Sequence, residues 1–286
     1  MMKEVPTLVK WAGGKKQLLE QFEKFFPKKI GRYFEPFVGG GTVAFCLLKT
    51  HPEIKKIFLS DINKELIATY NVVKKDVEGL IRLLKKYKLK HNKEFYYKIR
   101  SQKIDKLKEL EIAARFIYLN KTCFNGLYRV NSKGQFNVPI GSYKNPQICD
   151  EKSLREISTF MKKDDIKSAQ FYDTVKKAKK GDFIYFDPPY YPLDNKKSFT
   201  TYTKDNFLEE EQKKLAKVFR ELDRKGCKVM LSNSDTNFIK NLYKEYNINL
   251  VQAKRMINCD ATKRGKINEV VVTNYFPQKV QGDLKH

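Results

Sequence analysis

Apolar positions along the chain follow two rhythms. Short, nearly unbroken apolar runs at 32–37, 56–60, 183–186 and 228–232 have the length and the aromatic and β-branched content of buried strands. Stripes recurring every three to four positions predict helices at 17–26, 42–49, 63–75, 206–224 and 236–245. Further strands are expected near 169–172, 249–255 and 268–275, and a helix near 150–161. Strands alternating with helices in this way predict an α/β fold built on a doubly wound sheet.

The alternation breaks once. From 77 to 115 the pattern is helical and heavily charged, with no clear strand. The stretch from Asn120 to Gln135 then turns polar, aromatic and glycine-marked. Asn125-Gly126 and Lys133-Gly134 are turn signals, which predict a loop or hairpin presenting its side chains. The expected organisation is a core domain formed by 1–75 and 159–286, interrupted by a mostly helical insert at 76–158.

Composition narrows the class. The formal net charge of +25 over 286 residues points to a polyanionic partner, nucleic acid first. Many of the lysines fall in pairs spread along helix surfaces, so charge says nothing about sequence preference. No apolar stretch reaches the 18 or more residues of a membrane span, and the first residues lack a signal peptide's apolar region. The five cysteines are widely spaced without a C-x-x-C pair and there are three histidines. A reducing cytosol is expected, with neither a disulfide framework nor a zinc site.

Asp187-Pro188-Pro189-Tyr190 follows the run 183–186, so its carboxylate falls at the carboxyl end of a buried strand, where open α/β sheets place their chemistry. Successive prolines cannot continue a ladder and fix φ near −65°, which holds the Asp187 and Pro188 carbonyls outward. A carboxylate, free carbonyls and an aromatic face suit a flat, amine-bearing ring. A proline-marked strand end with a core tyrosine is the competing reading. Glycines 39 to 41 let backbone approach a ligand. The spacing Phe37-x-Gly39-x-Gly41 lacks the third spaced glycine of a pyrophosphate cradle, which favours an adenosyl ligand over a dinucleotide. Asp61, ending the next strand, suits the ribose hydroxyls or adenine edge of such a ligand, and equally suits a helix N-cap. Trp11, the only tryptophan, lies in the short glycine-bearing loop Lys10-Trp11-Ala12-Gly13-Gly14-Lys15, a poor core and a candidate ligand contact. Arg129 stands beside Phe124, Leu127 and Tyr128. Arginine reads guanine bidentately, and aromatics wedge into base stacks.

In this order, the motifs resemble the Dam-type DNA adenine-N6 methyltransferases, α-class amino-methyltransferases that modify GATC, and most of all the GATC methylases of type II restriction-modification systems. The likeness covers nearly the whole chain: Lys10 to Lys15, Glu35 to Gly41, Asp61, Asn125 to Asn131, Phe136-Asn137-Val138-Pro139, Asp187 to Tyr190 and the closing Val272-Thr273-Asn274-Tyr275. It implies a Rossmann-like sheet that uses S-adenosylmethionine without a metal, with the insert as target-recognition domain. The donor would be bound by Trp11, Lys15, Phe37, Gly39, Asp61 and Asp187, and catalysis carried by Asp187, Pro188, Pro189 and Tyr190. Lys10 and Arg129 would read guanines in double-stranded DNA and Leu127 and Pro139 would make apolar base contacts. Phe124 would fill the gap beside a displaced base, and Asn125 would anchor a phosphate.

The resemblance also implies a bacterial cytoplasmic protein working at the nucleoid, a monomer or weak dimer, with a cognate restriction endonuclease as a genetic partner. Lys263 and Arg264, before the last strand, are candidate phosphate contacts. Cytosine-N4 methylation, RNA methylation and a catalytically silent DNA-binding regulator remain the alternatives, separable by nucleoside chromatography and donor-dependent turnover.

Overall fold

The computed structural model describes residues 4–193, 207–254 and 266–277. Seven strands, β1 (Arg32–Glu35), β2 (Lys56–Asp61), β3 (Asp164–Ser168), β4 (Phe183–Phe186), β5 (Lys228–Ser234), β6 (Asn247–Lys254) and β7 (Lys266–Thr273), form one sheet. Their order is β3-β2-β1-β4-β5-β7-β6. Pairing is parallel from β3 to β5, whereas β7 runs antiparallel between β5 and β6.

Strand periodicity sorts the core into two layers. Tyr33, Ile57, Leu59, Phe183, Tyr185, Met230 and Val271 belong to one buried cluster, while Phe34, Phe58, Ile184, Phe186, Val229, Leu231, Val270 and Val272 belong to the other. Successive side chains on a strand point to opposite faces, so a sheet covered on both sides needs apolar residues at every position. That explains the unbroken runs in the sequence. The second face is covered by α8 (Phe171–Val175), α9 (Glu209–Arg224) and α10 (Asn237–Leu242).

The first face carries α1 (Leu19–Phe22), α2 (Thr42–Thr50) and α3 (Lys64–Lys75). The insertion follows α3, as α4 (Val77–Leu89), α5 (Lys93–Arg100), α6 (Glu109–Thr122) and α7 (Glu151–Phe160). Its apolar residues Leu80, Leu84, Tyr96 and Ile117 join the same buried cluster as the sheet's first face. Among the described residues no helix is long and apolar enough to cross a membrane.

Three expectations shift. The strand expected near 169–172 lies earlier, at Asp164–Ser168, and Phe171–Val175 is helical. β3 pairs with β2 alone, so an edge strand of mostly polar residues gave no apolar run to read. The 17–26 stripe is a single α-turn flanked by 3-10 turns. α6 runs on to Thr122, into the segment that its polarity marked as loop. Lys263, Arg264 and residue 206 lie outside the described residues.

Candidate active site

The chain order reverses between β1 and β4, and a cavity of about 970 Å³ opens at the carboxyl ends of β1, β2 and β4. One wall is the turn after β1. Gly39 and Gly41 adopt φ of 45° and 73°, a left-handed conformation that favours glycine. A Cβ on Gly39 would stand 2.5 Å from Trp11 Cδ1, so the indole lies directly on the turn. The Tyr70 hydroxyl donates to the Gly39 carbonyl at 2.9 Å. Asp61 accepts from Gly39 N at 3.2 Å and from Asn63 N at 2.9 Å. The α3 N-cap is Asn63, whose side chain accepts from Leu66 N at 3.0 Å, so Asp61 is left to brace the glycine turn and line the cavity. Burial raises the Asp61 pKa, opposed by its amide donors. Phe37 closes this side, stacked on Phe171 with ring centroids 5.6 Å apart.

At the other side stands Asp187, directly after β4. Lys15, only 4% exposed, places Nζ 2.7 Å from Asp187 Oδ1, 2.6 Å from the Gly13 carbonyl and 4.8 Å from the centroid of the Tyr190 ring. The Ser232 hydroxyl on β5 donates to Asp187 Oδ1 at 2.9 Å and lies 2.8 Å from the Tyr185 hydroxyl. Gln212 Nε2 donates to the Pro189 carbonyl at 3.0 Å, and Gln212 in turn accepts from Asn233 Nδ2 at 3.0 Å. Asn233 also accepts from Tyr191 N at 3.1 Å. Among the described residues no hydrogen bond is made to the Pro188 carbonyl, which leaves it available to an external donor. Glu35, buried at the end of β1, accepts from the Tyr33 hydroxyl at 2.8 Å. Burial pushes its pKa up to about 8, so it is mostly protonated at neutral pH.

The segment 120–140 sits beside the cavity. Asn125 takes φ 55° ahead of Gly126 at 65°, a pair of left-handed residues that turns the chain after α6. Bridges Val130↔Phe136 and Cys123↔Ile140 close a short hairpin. Buried Asn120 ties Lys10 to it: Lys10 N donates to Asn120 Oδ1 at 2.8 Å, and Asn120 Nδ2 donates to the Lys10 and Gly126 carbonyls at 2.7 and 3.0 Å. Lys10 is thereby gathered with Phe124, Asn125, Leu127, Arg129 and Pro139. Phe124 N donates to the Pro139 carbonyl at 2.9 Å, and exposed Arg129 donates through Nε to Asn137 Oδ1 at 2.7 Å. Phe124 is half-exposed. Tyr128 faces inward, its ring 5.8 Å from Trp11 and its hydroxyl donating to Glu65 Oε1 at 2.9 Å. Glu65 is ion-paired to fully buried Arg115 at 2.9 Å.

Tertiary structure thus brings the expected residues together as two neighbouring groups. Trp11, Lys15, Phe37, Gly39, Asp61 and Asp187 to Tyr190 line one cavity. Lys10, Phe124, Asn125, Leu127, Arg129 and Pro139 form the adjoining surface. Sequence reasoning missed Ser232, Gln212, Asn233, Glu269, Asn120, Glu65 and Arg115. Only Ser232-Asn233 carried a readable signal, polar residues at the carboxyl end of an apolar strand run.

A glycine turn and carboxylate thus stand at one side of a switch-point cavity, with Asp-Pro-Pro-Tyr at the other. The comparisons give the class of protein. Residues 11–257 match the D12 class N6 adenine-specific DNA methyltransferases. The chain is 47% identical to the Type II methyltransferase M.MjaIII of Methanocaldococcus jannaschii, over 95% of this chain and 100% of that protein. It is 45% identical to the Type II methyltransferase M1.LlaDCHI of Lactococcus lactis subsp. cremoris, over 93% and 94% respectively. With the DNA adenine methylase of Escherichia coli strain K12 identity is 33%, over 94% of this chain and 95% of that protein. This protein belongs to the D12 class of N6 adenine-specific DNA methyltransferases, S-adenosylmethionine-dependent enzymes that act on DNA.

Proposed function

We propose that this enzyme methylates N6 of the adenine in double-stranded GATC, with residues 76–158 as its target-recognition domain. The reading is carried by one observation: Asp187 to Tyr190 and the Trp11–Gly39–Asp61 group line a single cavity that opens beside the Arg129 hairpin. The cavity suits the donor on its own evidence. It has room for an adenosyl group, a turn that offers backbone where any Cβ would strike Trp11, and a carboxylate at the end of β2.

When bound, S-adenosylmethionine supplies a methyl group activated by its sulfonium. The protein's share is binding and orientation. Its target amine lies inside a duplex, so the adenine must leave the stack, at a cost of a few kcal/mol. Tyr190 receives the ring. Asp187, oriented by Lys15 and Ser232, accepts one N6 hydrogen and the Pro188 carbonyl the other. Those acceptors draw the nitrogen lone pair out of ring conjugation and toward the methyl carbon. A carbon–nitrogen bond forms as the carbon–sulfur bond breaks, and the displaced N6 proton passes to solvent. Positioning supplies much of the acceleration, and direct displacement at a sulfonium needs no Lewis acid. On the DNA side, Lys10 and Arg129 read guanines, Leu127 and Pro139 make apolar base contacts, Phe124 fills the vacated stack, and Asn125 holds a phosphate.

The test is an unmethylated plasmid incubated with protein and donor, then cut with GATC endonucleases of opposite methylation sensitivity. Protection from the sensitive enzyme with new cutting by the methyl-dependent one is expected, and both changes vanish with Asp187→Ala. Unchanged digests from a folded, donor-binding protein would remove GATC from the assignment.

A further inference from the structure

The stacking surface of the active site is itself held by a group outside the cavity. The Tyr190 hydroxyl donates to Glu269 Oε2 at 2.7 Å. Glu269 lies on β7 in register with Ser234 of β5, two residues from the Ser232 that holds Asp187. It does not line the cavity, so it meets substrate only through Tyr190. We infer that Glu269 is the positioning residue that sets the plane of the Tyr190 ring for the target adenine. This rests on the reading of Tyr190 as the base-stacking residue.

Three observations carry it. First, the prolines fix the backbone up to Tyr190, but a tyrosine side chain still turns about two bonds, and only its hydroxyl offers a directional handle. Second, three neighbouring groups are pinned from β5 or α9: Asp187 by Ser232, the Pro189 carbonyl by Gln212, and Tyr191 N by Asn233. Glu269 completes that set from the adjacent antiparallel strand. Third, the ring is gripped from a second direction by Lys15 Nζ, 4.8 Å from its centroid, so two contacts at different points of the ring fix its plane.

The choice of a carboxylate has its own logic. Glu269 is a partly buried acid close to Asp187, an arrangement that costs free energy and that a purely structural site would avoid. A charged acceptor gives a shorter, stronger hydrogen bond to a phenol than a neutral one.

Glu269→Ala, Glu269→Gln, Tyr190→Phe and the Tyr190→Phe/Glu269→Ala double variant are compared for turnover on an unmodified GATC duplex, and for binding on the same duplex with 2-aminopurine in place of the target adenine. Loss of a hydrogen bond to a charged group predicts a kcat fall of about ten- to a hundredfold in Glu269→Ala. Donor KM and melting temperature stay near wild type, and the 2-aminopurine emission of the bound complex changes because the flipped base no longer stacks in one plane. Glu269→Gln keeps a neutral acceptor oxygen and recovers part of kcat. The double variant is no worse than Tyr190→Phe alone, since both remove the same contact. Wild-type kcat in Glu269→Ala, or fully additive losses in the double variant, would overturn the inference. If Tyr190→Ala also left kcat and emission untouched, the stacking role of Tyr190 would be the part that failed.

Discussion

Arg115→Met would show how far the helices after α3 and the neighbouring cavity depend on one buried charge pair. Arg115 is 1% exposed and gives three bonds: NH1 to Glu65 Oε2 at 2.9 Å, Nε to the Ile99 carbonyl at 3.2 Å and NH2 to the Arg100 carbonyl at 3.1 Å. Methionine keeps the apolar stem and removes the charge. Glu65, itself nearly buried, is then left with the Tyr128 hydroxyl alone, the Arg100 carbonyl loses a donor, and the Ile99 carbonyl keeps only backbone donors. Removing one partner of a buried ion pair costs about 3–5 kcal/mol, a large share of the roughly 5–15 kcal/mol that holds a domain folded. The expected result is an unfolding free energy lowered by that amount, read as a lower urea midpoint at unchanged slope. Glu65→Gln/Arg115→Met should recover part of it, because the orphaned charge is gone. Tyr128 packs on Trp11, so donor affinity should fall in the single variant as well. A loss below about 1 kcal/mol, or a double variant no better than the single, would refute the account, since the penalty argued here comes from the uncompensated carboxylate.

Three further outcomes follow from the same geometry. Gly39→Val places a branched side chain at φ 45° against an indole 2.5 Å from its Cβ, so donor affinity should fall at least about tenfold; the single tryptophan lets intrinsic fluorescence read the titration, and undiminished affinity would detach Gly39 from the donor site. Glu35 holds its proton to about pH 8 in the fold against an ordinary value of 4.5, so the stability it contributes is complete below 4.5 and is lost as pH rises through about 8. Glu35→Gln should therefore flatten the fall in stability over that window, by up to roughly 5 kcal/mol, and parallel urea-midpoint profiles for the two proteins would exclude it. Arg129→Ala should relax discrimination against one-base variants of GATC by about 1–3 kcal/mol with donor KM unchanged, measured as a ratio of kcat/KM values.

What the sequence determined by itself is what short-range chemistry dictates. Runs such as Phe183-Ile184-Tyr185-Phe186 are apolar at every position because both faces of the sheet are covered, and this makes a central strand readable without coordinates. Asp187 to Tyr190 and the glycine turn at 39–41 were legible for a related reason: prolines and glycines restrict backbone wherever they stand. Edge strand β3 was misplaced, since a strand paired on one side tolerates polar residues and loses its signature. The tertiary structure alone decided how residues far apart in the chain meet. Asn120 joins Lys10 to the Arg129 hairpin across 110 positions, Ser232 fixes Asp187 across 45, and Glu269 reaches Tyr190 across 79. No local pattern encodes such contacts, because each partner alone is an ordinary polar residue on a strand or helix. Their meaning arises only when strand order β1-β4-β5-β7 stacks their carboxyl and amino ends around one cavity.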